Sequence, residues 1–439
     1  MSGMSVLRRA AVGALLAWLG IGAGARAAGD ASDAAAPFGL ALSGQALAYA
    51  GAADVTPDSP FNPANALAQL PRRELDIEFR PTLSARQGPC SASLQPRAHA
   101  TRGVADAPAP TRVDLSRGFV NGAALRCRLG DALSLGVARE VPQWGSAFYA
   151  SPSNPFFFDT GRTNPLQELY GRDIASAALQ LAPGWSARLL RNYTAGPQQP
   201  EPQNFVRVSA LKLDWTGDTA SGGLIASRRA TGVQRLGAYA TWTGSDALLL
   251  YADLDAGRGS DAWYPTAGPD AANGGFFARN RLGLDRHFLT ALVGAAYTFE
   301  SAWAVNVEFL SGNEGYTRAE RAADRELARA AAAALGAGDG VPEALRTLAI
   351  AGAPGAPYLG NRLLFVQLAR SEVGPLDLAL RAAHSFAPGA GSTLSFSASY
   401  ALGGRLRAFA LGARNLGGAA GDFARYARST LDLGLRLYF

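Results

Sequence analysis

Three histidines, two cysteines and a scatter of acids and bases are the residues with chemistry to offer. His99, His287 and His384 lie far apart in the 439-residue chain, and none is set in a nucleophile motif. There is no Gly-x-Ser-x-Gly elbow, no His-Glu-x-x-His pair and no phosphate loop. The spacings that acyl transfer, zinc hydrolysis or nucleotide binding require are therefore missing. A serine–histidine device would need one of the three histidines beside a serine. Two cysteines and three histidines are too few for a multi-metal enzyme. The expectation is no catalytic residue, no metal and no cofactor.

What remains reactive is charge, and it falls in a regular place. Glu74, Asp76, Glu78, Arg97, Lys212, Asp214, Arg235, Asp253, Asp255, Glu308, Asp377, Arg381, Asp432 and Arg436 lie on the polar side of alternating segments. Period-2 alternation puts such residues on one face of a β-strand and the apolar set on the other. Acids and bases nearly balance in this set. Their chemistry is electrostatic: charged rings that tune ion passage, or salt bridges that brace a wall. Acidity should concentrate at Asp76 with Glu78 and at Asp253 with Asp255.

The elements that must hold these groups are clearest at the C-terminus. Leu431, Leu433, Leu435, Leu437 and Phe439 occupy one face, and Thr430, Asp432, Gly434, Arg436 and Tyr438 the other. A soluble sheet would set the apolar face on a core. A transmembrane barrel sets it on lipid, with the polar face toward a lumen. In this strand, and in its final Phe439, the sequence resembles Gram-negative outer-membrane β-barrels, whose last strand ends in Phe as the signal read by the assembly machinery. The resemblance implies an outer-membrane location after export, with membrane lipid and that machinery as partners.

The same alternation recurs along the chain. Leu75, Ile77 and Phe79 oppose Glu74, Asp76 and Glu78; Trp303, Val305, Val307 and Phe309 oppose Asn306 and Glu308; Leu394, Phe396 and Ala398 oppose Thr393, Ser395 and Ser397. Segments of about 9–11 residues suit a tilted membrane strand. Tight connections such as Leu129-Gly130-Asp131, Ala182-Pro183-Gly184 and Thr216-Gly217-Asp218 alternate with long ones near 140–174, 255–286, 312–360 and 414–428. Short turns belong to the periplasmic end and long loops to the outside. Trp185, Trp215, Trp242 and Trp303 sit beside tight turns, as a periplasmic girdle of indoles would. The expected fold is all-β: a closed antiparallel transmembrane barrel of about 16–18 strands over residues 74–439, with one helical external loop. Residues 28–73 supply either a first strand, near 38–49, or a hatch inside the lumen.

Composition agrees. Hydrophobic residues are 48 % and charged residues 17 %, against about 25 % charged in soluble domains. So much apolar content excludes a disordered chain. Of 41 basic residues only Lys212 is a lysine, and they do not form the cluster a nucleic-acid binder needs. Arg8-Arg9, an apolar stretch from Ala10 to Gly24, and Ala25-Arg26-Ala27 read as a secretory signal peptide over 1–27. Beyond it, no apolar run of about 18 residues lacks a charge, which excludes spanning helices. Export places Cys90 and Cys127 in an oxidising compartment. If 91–102 rises and 114–128 returns beside it, the two meet at the periplasmic end, and a disulfide is expected.

One connection carries helical periodicity. Thr317 to Leu335 is Ala-rich, opened by a Thr317-x-x-Glu320 capping box, and a second helical piece covers Pro342 to Ile350. Long ordered loops are usually functional, so 312–360 is expected to control access to the lumen. Asn154-Pro155-Phe156-Phe157-Phe158, in the 140–174 loop, is expected to anchor at the outer lipid interface, with ligand binding as the alternative. Upstream, Ala48-Tyr49-Ala50-Gly51, Asp58-Ser59 and Asn62-Pro63-Ala64 with Leu67 resemble the N-terminal segment of the long-chain fatty-acid and aromatic-hydrocarbon transporter family. That resemblance implies a lumenal hatch carrying Asn62, Pro63 and Ala64, and a hydrophobic substrate. Turn chemistry alone also accounts for these residues. In size and strand number the chain is similar to alginate-export channels and substrate-specific porins. The expectation from the whole chain is a channel, not an enzyme, through which a small solute or polymer crosses passively.

Overall fold

Strands with one apolar and one polar face can hide every backbone group only by closing on themselves. The computed structural model describes residues 38–105, 111–194, 206–266, 276–279, 286–355, 358–371 and 374–439. The expected signal peptide, 1–27, lies outside the described residues. The wall begins with β1 (Gly39–Val55), β2 (Arg73–Gln87), β3 (Cys90–Ala105), β4 (Thr111–Leu129), β5 (Leu133–Glu140) and β6 (Arg172–Ala182). It continues with β7 (Trp185–Thr194), β8 (Val208–Thr216), β9 (Ala220–Arg229), β10 (Gln234–Thr243) and β11 (Leu248–Arg258). A separate small hairpin, β12 (Trp263–Pro265) with β13 (Phe277–Arg279), stands in the next connection. The wall resumes with β14 (His287–Thr298), β15 (Trp303–Gly312), β16 (Arg362–Arg370), β17 (Leu376–Ser385), β18 (Gly391–Ala401), β19 (Leu406–Leu416) and β20 (Ala427–Tyr438).

These make one 18-stranded antiparallel sheet, and β20 pairs back onto β1. In that seam Gly44 and Phe439 exchange backbone hydrogen bonds of 3.0 and 3.1 Å, and the Phe439 ring stacks on Phe79 at 5.4 Å. Residues 39–55 thus stand in the wall. Cys90 faces Cys127 in register, and the two form a disulfide at the end of the barrel that carries the tight turns.

Register turns the apolar rows outward. Leu236 is 67 % exposed, Leu224 62 % and Ile77 56 %. A continuous belt of this kind has no cover within the chain, and a bilayer supplies it. No helix among the described residues is long and apolar enough to cross a membrane. Trp185 and Trp215 face each other in register near the tight turns, with ring centroids 6.4 Å apart.

The opposite end carries 56–72, 141–171, 259–286, 313–361 and 417–426, together with the short connections 230–233 and 386–390. Length alone therefore does not mark that end; strand direction does. Within 313–361 stand α1 (Arg318–Ala337) and α2 (Val341–Gly352). The Thr317–Glu320 capping box is formed, and Gly338 ends α1 in the left-handed region at φ 77°, where a side chain would be strained.

Candidate functional site

The inward face is built by parity. Across each strand pair, facing residues share a side of the sheet. Asp253 faces Tyr239 and Leu292; Glu308 faces Gly294 and Phe365; Arg381 faces Gln367 and Ser395. The same register carries all the charged residues named above to the inside, opposite the exposed leucines.

Most of these charges are satisfied by neighbours. Arg235 reaches Asp255 at 3.0 Å and Glu314 at 2.7 Å. Lys212 bonds Asp214 and, at 3.0 Å, the Tyr239 hydroxyl. Arg407 bonds Asp377. Arg381 donates to Gln367 at 2.7 Å and Ser397 at 3.0 Å. Asp76 accepts from Thr101 and contacts His99 Nε2 at 2.7 Å, while Tyr49 donates to Glu78 at 3.1 Å. Glu74 and Asp432 crowd over Gly51, where a Cβ would meet Asp432 Oδ1 at 2.7 Å.

Asp253 and Glu308 differ. Both are buried, and neither makes an ion pair among the described residues. Glu308 accepts from the Tyr251 hydroxyl at 2.6 Å, and the other partners of both come from the connection between β5 and β6. Ser151 Oγ and the Ser153 amide donate to Asp253 at 2.8 and 2.6 Å. The Phe148 and Tyr149 amides donate to Glu308, the latter at 2.8 Å. The connection, residues 141–171, is therefore folded into the barrel. Its aromatic residues explain why it stays there. Trp144, Phe156 and Phe157 pack with Ile174, Leu190, Val208 and Ile225. Phe148, Tyr149 and Phe158 pack with Tyr251, Leu292, Leu310, Leu363 and Phe365. Each such side chain contributes about 1.5–3 kcal/mol on burial. Farther along, Leu166 meets Leu47 and Leu411, and Pro165 O accepts from Arg436 at 3.2 Å.

One expectation is corrected here. The Asn154–Phe158 cluster does not face the outer lipid interface: Asn154 and Phe156 are buried inside, because the Phe148, Tyr149 and Ser153 amides are satisfied by inward carboxylates and the Phe156 and Phe157 amides by Asn154 Oδ1. The segment that enters the lumen is 141–171, whereas the helices of 312–360 lie over the mouth. Ala328, Ala331, Ala344, Leu348 and Ala351 bury Phe61 and Phe277 between them and neighbouring loops. Arg321 pairs with Asp422 at 2.8 Å, and Arg425 stacks over Phe61 at 3.7 Å. Asn62, Pro63 and Ala64 belong to this cap. Asn62 Oδ1 accepts from the Leu67 and Ala68 amides, each at 3.0 Å, which is turn chemistry in the β1–β2 connection.

The apolar filling is one-sided. Between the inward segment and β2–β5 the lumen stays polar. One cavity of about 310 Å³ is lined by Arg80, Arg97, His99, Arg117 and Glu168. A second, about 470 Å³, is lined by Gln95, Asn121, Arg126 and Glu140. Gln167, Glu168 and Leu169 border both. Glu168 receives Arg97 Nε at 2.7 Å. Burial pushes its carboxyl up, but hydrogen bonds and charge from Arg97, aided by Arg80, outweigh that and hold it below its ordinary value. Sequence reasoning placed Arg80 on the polar face with Glu74, Asp76 and Glu78 but missed Glu168, which nothing in its spacing marks, since it lies in a loop and meets Arg97 from 71 positions away.

The histidines form no relay. His99 uses one ring nitrogen for both Asp76 and Thr101, whereas a base-and-orienter device needs opposite nitrogens. His384 Nδ1 lies 2.8 Å from Ser392 Oγ at an exposed site, and Arg258 Nε meets His287 at 2.9 Å.

No family model matches the chain, and no curated protein matches it. Among solved structures, a triple mutant of the Rhodopseudomonas blastica porin is similar at a TM-score of 0.43 and 12 % identity, covering 91 % of this chain and 100 % of that one. A second mutant of that porin gives the same TM-score and identity, and a third gives 0.39 at 13 %, with the same coverage.

Proposed function

We propose that the protein is an outer-membrane channel through which small polar solutes cross passively, narrowed by the inward segment 141–171. One observation carries the reading: the lumen is filled by apolar packing along one side and left polar along β2–β5, where two cavities meet at Glu168. A structural barrel gains nothing from keeping charged side chains around water-sized space, because an unfilled polar interior forfeits packing. A passage for hydrated solutes needs that arrangement. The segment itself is suited to constrict, since its amides are tied to Asp253 and Glu308 on the far wall.

The apolar belt supports insertion in a bilayer, and closure of β20 on β1 removes the edge that lipid cannot satisfy. Orientation follows the usual asymmetry of such barrels, with tight turns in the periplasm and the capped mouth outside.

Planar-bilayer recording tests this. The purified barrel should give resolved ohmic steps. Persistent silence from correctly folded, heat-modifiable barrels would reject the channel and turn attention to a closed transporter.

A further inference from the structure

On the mouth side of the inward segment lies a separate cavity of about 370 Å³, a volume that suits a small molecule. It is closed by Asn154–Phe158 below, the ends of β6 and β8–β11 around it, and the chain after α2 above. Four arginines, Arg172, Arg229, Arg235 and Arg279, line it together with three carboxylates, Asp255, Asp261 and Glu314. The carboxylates are taken. Arg229 holds Asp261 at 3.0 Å, and Arg235 holds Asp255 and Glu314. Ser260 also donates to Glu314 at 2.6 Å. Arg279 lies over the Trp263 ring at 4.2 Å.

Arg172 is the exception. Its guanidinium sits over the Phe157 ring at 4.8 Å and no ion pair reaches it among the described residues; its Nε, like that of Arg229, is buried with no hydrogen-bond partner. A poorly solvated cation facing an enclosed space is costly unless an anion joins it. The rest of the wall is apolar, with Phe156, Phe158 and Val208. Three carboxylates in the same wall would repel a polyanion such as phosphate; a single negative charge is what the site lacks.

We propose that this cavity binds a small monoanionic organic acid, with its carboxylate on Arg172 and an aromatic or apolar body against Phe156, Phe158 and Val208. This names a solute class for the channel reading and rests on it for its role, though not for binding itself. A bidentate guanidinium–carboxylate pair in an enclosed site is among the stronger polar contacts available.

The test is calorimetric titration of the detergent-folded barrel with benzoate, and with benzyl alcohol as the uncharged match. Benzoate should bind at least about tenfold more tightly than benzyl alcohol. Arg172→Gln should weaken benzoate by about tenfold or more, and Arg172→Lys should fall between R172Q and the unaltered protein, since lysine keeps the charge but not the paired N–H donors. Absence of benzoate binding, or equal binding in R172Q and the unaltered protein, overturns the proposal. If R172Q does not fold, the benzoate and benzyl alcohol comparison on the unaltered protein decides alone. The same preparation is recorded in a bilayer. A conducting barrel that ignores benzoate rejects only this site; a silent barrel that binds it rejects only the channel.

Discussion

The Ser153 amide donates a 2.6 Å hydrogen bond to Asp253, one hundred positions away on the opposite wall. This contact and its counterpart at Glu308 turn a long connection into a lumenal constriction. Asp253→Ala should leave the Ser153 amide and Ser151 hydroxyl unpaired, at a cost of about 1–3 kcal/mol to the local fold. The wall would stand while the segment loosened. Single-channel current should become noisier and larger on average, and protease should cut within 141–171. A quiet, unaltered step would refute the anchoring role.

Glu168 is the one carboxylate bordering both polar cavities. Glu168→Gln removes the charge that neutralises Arg97 and leaves that guanidinium facing the passage, while Arg80 keeps Glu78 at 2.7 Å. The reversal potential in a potassium chloride gradient should move toward that of chloride; an unmoved potential would place the passage elsewhere. The native carboxyl is held below its ordinary value, so its pairing is fully present above the unfolded pKa of about 4.5 and is lost as pH falls through the lower folded value. Native selectivity should therefore be steady down to about pH 5 and shift only in stronger acid.

Asp324 on α1 is buried, and its Oδ1 has no hydrogen-bond partner. Burial pushes its pKa up to about 6, against the pull of Arg425 and Arg321. A raised acid stabilises the folded cap most when protonated, below its unfolded pKa, and that contribution is lost as pH rises through about 6. Hydrogen exchange over 318–352 should be better protected at acid pH than at pH 8. Asp324→Asn should flatten the difference; a cap equally protected at both values would contradict this.

Cys90 and Cys127, joined in the structure, should be paired in the protein purified from the membrane. Alkylation of the denatured, unreduced chain should add no mass, and alkylation after reduction should add two groups. Because β3 and β4 are already paired along their full length, the double serine variant should still fold and migrate as a barrel. Free thiols in the unreduced sample would refute the pairing.

Removal of residues 318–350 should open the mouth but leave the inward segment tied at Asp253 and Glu308. The step in conductance should rise less than in a variant lacking both carboxylates. A larger rise on removing the helices would make the cap, not the inward segment, the narrowest point.

Alternation in single strands, as in Leu431–Phe439, is local, and it sufficed to place the barrel wall, its polar lining and the Cys90–Cys127 register. The helices were legible too, since capping at Thr317 and Glu320 is a matter of four consecutive residues. The N-terminal piece was ambiguous because a strand and a plug can share one alternating pattern; only pairing with both β2 and β20 decides for the wall.

By itself, then, the sequence determined which residues turn inward and which meet lipid, because side-chain direction in a strand depends only on parity. It did not determine where the loops go. The aromatic run at 156–158 is as compatible with a lipid interface as with a filled lumen, and the choice falls to partners far away in the chain. Asp253 and Glu308 have no ion-pairing cation among the described residues, a condition visible only once their neighbours across the sheet are known. Tertiary structure brings the 148–153 amides to those two carboxylates. It leaves Glu168 with Arg97 on the open side and Arg172 without an ion pair among the described residues, since the groups that surround them come from strands and loops distant in sequence.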